Sequence, residues 1–221
     1  MQTQDVIELQ ADVVILATGG APQMDTIEGA AQFANTSWDL LNGDMPIGQR
    51  VLVYDETGSQ SGPGCAEKAG GVGALTQLVT PDRMIAQDVG VTNHAIHLRN
   101  LHHCGVEIKT DQRLSKIERN GNQLTAYFQH EYSGVESTQV YDQIVVEAGT
   151  VPDDALYSAL IPHSANQGLI DQQILLAGGK MPAPLPLAES AFALYRIGDC
   201  VSARGIHAAL LDAQRLCRCI G

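Results

Sequence analysis

Three apolar runs, each ending in a glycine turn, constrain this chain more than any other feature. They are Val13-Val14-Ile15-Leu16-Ala17-Thr18-Gly19-Gly20-Ala21-Pro22, Ile144-Val145-Val146-Glu147-Ala148-Gly149-Thr150-Val151-Pro152 and Leu194-Tyr195-Arg196-Ile197-Gly198-Asp199-Cys200. Their hydrophobicity is continuous instead of alternating. That marks strands covered on both faces, and hence a parallel sheet between helices. A glycine at the end of such a strand lets the backbone turn tightly and approach a ligand, and ligands of open α/β sheets bind at that end.

The segments between the runs follow the same logic. Residues 5–9 and 12–17 read as two short strands joined by a tight turn. Thr36-Ser37 caps a short helix through Leu41 that stops at Asn42-Gly43, and Pro46-Ile47-Gly48 reads as a hinge. A new unit opens at Gln49. It runs as a strand Arg50–Tyr54, a Gly- and Ser-rich turn Asp55–Ser61, a helix Gly62–Ala69 with Pro63 in its first turn, and a strand Ala74–Val79. This βαβ order predicts parallel strands. A helix over 91–104 and a strand at 106–108 follow. Antiparallel strands at 114–118, 123–130 and 139–141, turning at Asn120-Gly121-Asn122, lead back to the parallel core at 144–147. Beyond Pro152 come a short helix at 154–160, a loop-rich stretch 162–189 containing Pro182, Pro184 and Pro186, a strand 192–197 and a helix from Ile206 to Cys219. The expectation is an α/β protein with Rossmann-like parallel sheets. Its hinge and crossing loops divide it into residues 49–150, inserted between 1–48 and 151–221, which fold together.

Composition narrows the partners. A net charge of -12 argues against nucleic acid or an anionic membrane surface. No apolar run approaches the roughly 20 residues of a bilayer span. Met1-Gln2-Thr3-Gln4-Asp5 lacks both the basic region and the apolar stretch of a signal peptide, so a cytoplasmic location is expected. Cys65, Cys104, Cys200, Cys217 and Cys219 form no CxxC pair and no zinc spacing, and are expected to be reduced thiols. His94 and His97 can share a helix face, but no third ligand lies near them in the sequence, and no metal site is assigned. No Ser-His-Asp or Cys-His set has the context of a nucleophile, and no catalytic residue is assigned.

The stretch Val51–Glu67 stands where a dinucleotide fingerprint would stand. A strand feeds a turn with Gly58, Gly62 and Gly64, and the N-terminus of the next helix offers N–H groups to a phosphate. A G-x-G-x-x-G pattern would begin at the strand's end, however, where Asp55 and Glu56 stand. Two carboxylates beside a pyrophosphate repel it by about 1 kcal/mol each. Two readings stay open: a scaffold with a lost or weakened site, and a site for NAD(P)H. Gly198-Asp199 is the second candidate, because an apolar strand precedes it and a helix begins behind it at Ile206-His207.

In this order, the runs 12–22, 144–157 and 192–219 resemble the flavin disulfide-reductase-like module at the C-terminal end of the trimethylamine dehydrogenase and 2,4-dienoyl-CoA reductase (NADH:flavin oxidoreductase) family. The likeness is greatest to its N-methyl amino-acid demethylases, the dimethylglycine and N-methylproline enzymes. The resemblance implies that Thr18, Gly19 and Gly149 lie on crossing loops near the dinucleotides. It also implies that Asp199, after Gly198, hydrogen-bonds a ribose or ribityl hydroxyl of a flavin nucleotide, with the helix at His207 directing its amides to the cofactor. FAD or ADP is then expected in a partial site at low occupancy, with NAD(P)H weakened by Asp55-Glu56. Members of the family carry FMN in a TIM barrel beside a cysteine-ligated [4Fe–4S] cluster. This sequence has neither, so it is expected to be a C-terminal fragment without redox activity alone, partnered by the missing N-terminal barrel. The alternatives are a self-contained NAD(P)H-binding reductase domain and an acidic module docking an electron-transfer protein.

Overall fold

A computed structural model describes residues 2–181 and 192–220. The chain opens with α1 (Thr3–Glu8), β1 (Val13–Leu16), β2 (Gly20–Pro22), α2 (Ala30–Phe33), β3 (Asn35–Thr36) and α3 (Ser37–Asn42). It continues through β4 (Arg50–Asp55), α4 (Ser61–Gly71), β5 (Leu75–Val79), α5 (Val91–His103) and β6 (Glu107–Lys109). Then come β7 (Gln112–Asn120), β8 (Gln123–His130), β9 (Glu136–Tyr141), β10 (Gln143–Glu147) and β11 (Thr150–Pro152). It ends with α6 (Ala155–Leu160), α7 (Gln172–Ala177), β12 (Ala193–Arg196) and α8 (Ile206–Ile220). Two compact units result: Pro22–Gly149, and Met1–Ala21 together with Thr150–Gly221.

The 22–149 unit is built on a parallel sheet of order β3-β10-β4-β5-β6. The continuous apolar character of β4 and β10 has a direct cause, since successive side chains enter two different cores. Leu52, Tyr54, Ile144 and Val146 face Leu114, Ile117, Leu124 and Phe128 of the antiparallel β7-β8-β9 sheet. Val51, Val53 and Val145 face Cys65, Ala66, Ala69 and Leu101 of α4 and α5. The antiparallel strands turn at Gly121, which takes a φ of 62°.

The 1–21/150–221 unit holds a two-stranded parallel sheet in which Val13–Leu16 pairs with Ala193–Arg196. One cluster packs Val6, Leu16, Leu160, Phe192, Leu194 and Cys200; another packs Ala193, Tyr195 and Leu216 against Ile15, Leu175 and Ile220.

Three expectations are corrected. Residues 5–9 are not a strand: Thr3–Glu8 is helical, with the Gln2 amide donating to Asp5 Oδ2 at 2.7 Å and Val6 buried. The loop-rich stretch contains α7, capped by Asp171, whose Oδ1 accepts from the amides of Gln173 and Ile174 at 2.9 and 3.1 Å. The three prolines placed in that stretch lie outside the described residues. Residues 22–48 pack with 49–149 instead of with 1–21, because β3 pairs with β10 and Leu40 of α3 enters the core of α4 and α5.

Candidate functional site

Two places gather the residues singled out in the sequence. The first lies in the 1–21/150–221 unit. Because β1 and β12 run parallel in register, with Leu16 opposite Arg196, the loops carrying Thr18-Gly19 and Gly198-Asp199 leave the sheet at the same end. The chain at Asp153 ties them together. Its carbonyl accepts from Thr18 Oγ1 at 2.5 Å and from Cys200 Sγ at 3.5 Å, and its amide donates to the Gly19 carbonyl at 3.0 Å. Arg196 locks the next residue, donating from Nη1 to Asp154 Oδ2 at 2.8 Å and to the Cys200 carbonyl at 3.4 Å. Its guanidinium carbon stands 4.5 Å from the centre of the Tyr157 ring. A cavity of about 800 Å³ opens beside this network, lined by Thr3, Ile7, Thr18, Asp153, Leu156 and His163.

Gly198 has a φ of 63°, and a Cβ there would sit 3.3 Å from Ala209 Cβ, so the glycine allows α8 to close on the loop. Its amide donates to Asp212 Oδ2 at 3.2 Å, a carboxylate that also pairs with Arg204. Among the described residues, no group donates a hydrogen bond to the Asp199 carboxylate, and in the first turn of α8 the Ala208 and Ala209 amides reach the Gly205 carbonyl. His207 sits in the first turn of α8 and is exposed.

The second place is the turn between β4 and α4, with Gly58, Gly62 and Gly64. The expected confrontation of Asp55 and Glu56 with a phosphate is corrected by the side-chain directions. Glu56 turns aside to accept from Tyr54 Oη at 2.9 Å and to pair with Arg113 at 3.3 Å. Asp55 is fully buried beneath the turn. Its Oδ1 accepts from the Thr57 amide and hydroxyl, each at 2.9 Å, and from the Gly58 amide at 3.2 Å. Its Oδ2 is buried without a partner. Burial pushes its pKa up to about 6 against the pull of the Thr57 bonds, with nearby Glu147 adding to the rise. The same surroundings raise the buried Cys65 thiol to about 12, which makes it unreactive.

Glu147 accepts from Ser37 Oγ and, through Oε1, from the Gly149 amide at 3.2 Å. Gly149, with φ at 91°, lies 3.8 Å by its would-be Cβ from Thr57 Cγ2. A Cβ on Gly64 would meet only Leu41 Cδ2, at 3.8 Å, so no close approach requires that glycine. Of the paired histidines, His97 Nδ1 bonds Glu67 Oε1 at 2.6 Å and His94 Nε2 the Ile85 carbonyl at 3.1 Å. The structure thus groups Thr18, Gly19, Gly198 and Asp199 in one unit, and Gly58, Gly62, Gly64 and Gly149 in the other.

Sequence reasoning missed Asp153, Asp154, Tyr157 and Arg196. Their signal was available: a charged arginine closing an apolar strand, and an Asp pair straight after a glycine turn.

The chain has clear counterparts among known proteins. The chain is 38% identical over 205 residues to a probable N-methylproline demethylase of Rhizobium meliloti (strain 1021), covering 93% of this chain and 30% of that protein. It is 34% identical over 223 residues to the N,N-dimethylglycine/sarcosine dehydrogenase of Chromohalobacter salexigens, covering 96% of this chain and 32% of that one. It therefore spans about a third of the length of these relatives. Among solved structures, histamine dehydrogenase from Rhizobium sp. 4-9 superposes with a TM-score of 0.75 at 21% identity, covering 99% of this chain and 32% of that one. The flavoprotein disulfide reductase RclA of Escherichia coli, at 15% identity, gives a TM-score of 0.63 over 92% of this chain and 42% of that one. These two share the fold. The family model for pyridine nucleotide-disulphide oxidoreductases matches residues 1–213, and the chain belongs to that family.

Proposed function

We propose that this chain is the nucleotide-binding part of a larger flavin-dependent oxidoreductase, and that the crevice at the ends of β1 and β12 holds the nucleotide part of FAD, or ADP. The carrying observation is the convergence of Thr18-Gly19, Asp153 and Gly198-Asp199 at the carboxyl ends of two parallel strands, where α/β sheets take their ligands. The residues fit such a group. Asp199 is free to accept from a ribose or ribityl hydroxyl, Gly198 lets the start of α8 come close, and the Arg196–Asp154 pair holds the loop in place. When bound, a flavin nucleotide would supply the electron-carrying group. The chain's own part is to bind and orient it.

The rest of the reading rests on family resemblance. The remaining two thirds of the relatives' length would supply a TIM barrel with FMN and a [4Fe–4S] cluster, and that part would select an N-methyl amino acid as substrate. An electron-transfer protein is the natural further partner of such an assembly. The chain by itself is expected to bind flavin at low occupancy and to show no redox activity. No described helix is long and apolar enough to cross a membrane. All five cysteines are free thiols, in keeping with the reducing cytoplasm.

The test uses the full-length parent. Asp199→Ala should weaken retention of FAD or ADP by about 1.5–3 kcal/mol, the range for a hydrogen bond to a charged group, and leave FMN content unchanged. Nucleotide released on denaturation and the melting temperature are measured on the same sample. Full occupancy with a lowered melting temperature would assign Asp199 a purely structural role.

A further inference from the structure

The turn after β4 stands where an open α/β sheet should bind its ligand. In the order β3-β10-β4-β5-β6 the chain winds outward from β4 through β5 and β6, then returns on the other side of β4 as β10. The switch point therefore lies between β4 and β10. Asp55 and Glu147 are register partners at the carboxyl ends of these two strands.

A phosphate seat at a helix N-terminus requires free amides, and most of this turn's amides are already engaged, those of Gln60 and Gly62 excepted. The Thr57 and Gly58 amides donate to Asp55 Oδ1 at 2.9 and 3.2 Å. The Ser59 amide donates to Thr57 Oγ1 and the Ser61 amide to Ser59 Oγ, each at 3.3 Å. The Glu56 amide reaches the Glu147 carbonyl at 2.9 Å and the Gly64 amide the Gln60 carbonyl at 3.0 Å, while Pro63 has none to offer. The Asp55 side chain presses on the first turn of α4, since a Cβ on Gly62 would fall 2.6 Å from Asp55 Cβ and nearer still to its carboxylate.

The loop after β5 closes over the turn. A Cβ on Gly58 would meet Gln87 Cγ at 2.7 Å, and the Asp88 amide donates to the Gly58 carbonyl at 3.0 Å. Gln87 Nε2 in turn donates to Asp82 Oδ2 at 2.6 Å. Asp82 follows β5, about 20 residues beyond the turn, where dinucleotide folds carry the acid that binds the ribose.

We propose that Asp55 is an internal anion filling the phosphate seat of the 22–149 unit, with Gln87 as its cover and Asp82 tied to that cover. The dinucleotide-type fold is retained there and its crevice is closed by the chain's own side chains. Occupancy closes it, not repulsion at its mouth. The inference concerns this crevice alone and stands apart from the nucleotide reading of the β1–β12 loops.

The test is an amide-resolved NMR titration of the isotope-labelled chain with sodium pyrophosphate and, separately, NADH. In the wild type the Thr57 and Gly58 resonances should stay in place at millimolar ligand. Asp55→Asn, which keeps an acceptor at Oδ1, should behave the same. Asp55→Gly frees both amides and clears the space over Gly62, and should bind NADH at this turn at least about tenfold more tightly than the wild type. Movement of the wild-type Thr57 and Gly58 signals at micromolar ligand would overturn the proposal, and this readout needs no variant. So would a folded Asp55→Gly protein without the gain, or an Asp55→Asn protein that gains as much as Asp55→Gly. Movement at Thr18, Gly19 or Gly198 reports the other crevice and keeps the two readings separate.

Discussion

At the scale of single residues, Asp55 and Gly62 act as one interlocked pair. Any side chain at 62 collides with the Asp55 carboxylate, and a buried carboxylate on β4 cannot easily swing away. Gly62→Ala should therefore lower stability by about 1–3 kcal/mol, the range for overpacking a tight interior, measured by denaturant unfolding. Asp55 also leaves a pH signature. Its folded pKa of about 6 lies above the ordinary 3.8, so folding takes up a proton between those values. The associated stability is fully present below about pH 4 and is lost as pH rises through 6. The gap between the two values corresponds to about 3 kcal/mol. Across that window the wild type should lose roughly this much stability relative to Asp55→Asn, measured by unfolding at a series of pH values. A difference between the two proteins that is flat with pH would show that the carboxylate does not titrate in the folded state.

At the scale of elements, helix ends illustrate how local chemistry decides structure. Thr36 caps α3 by accepting from the Asp39 amide at 3.1 Å, and Asp39 returns the contact by accepting from the Thr36 amide at 2.9 Å. Thr36→Ala should cost about 1 kcal/mol in thermal or chemical unfolding. That helix, with its stop at the left-handed Gly43, was legible in the sequence for the same reason. So were β4 and β10, whose unbroken apolar runs required cover on both faces. Other elements were harder to read. The string Asp5-Val6-Ile7-Glu8-Leu9 carries strand-forming residues, but a first-turn carboxylate and the burial of Val6 make it helical. Helix α7 had both its signals in place, Asp171 ahead and Gly178 behind, yet the surrounding loop composition outweighed them. Two-residue β3 has no periodicity to detect, and only its pairing with β10 joins 22–48 to the sheet of the larger unit. The glycines of the candidate sites were visible as turn formers. Which of them admit a ligand and which admit an aspartate depends on side-chain direction, and glycine spacing does not record it.

At the scale of the whole molecule, the larger unit carries the means to fold by itself, with a five-stranded sheet and an apolar cluster on each face. Residues 22–149 expressed alone should melt in a single cooperative transition by circular dichroism; a broad, non-cooperative melt would show that it depends on the flanking segments. The smaller unit is assembled from two stretches lying on either side of that long excursion, and among the described residues its central sheet has two strands, one from each. The ends of the excursion are fastened together, because the Gln23 amide donates to the Gly149 carbonyl at 2.9 Å. This fastening bears on the order of events during folding. Bringing the two stretches together across a disordered loop of that length carries a length-dependent entropy cost of about 4 kcal/mol, against about 1 kcal/mol for a gap of a few residues. Once 22–149 has folded, its joined ends act as the short gap. The strand at 193–196 then finds its partner at 13–16 as though the two were near neighbours in the chain.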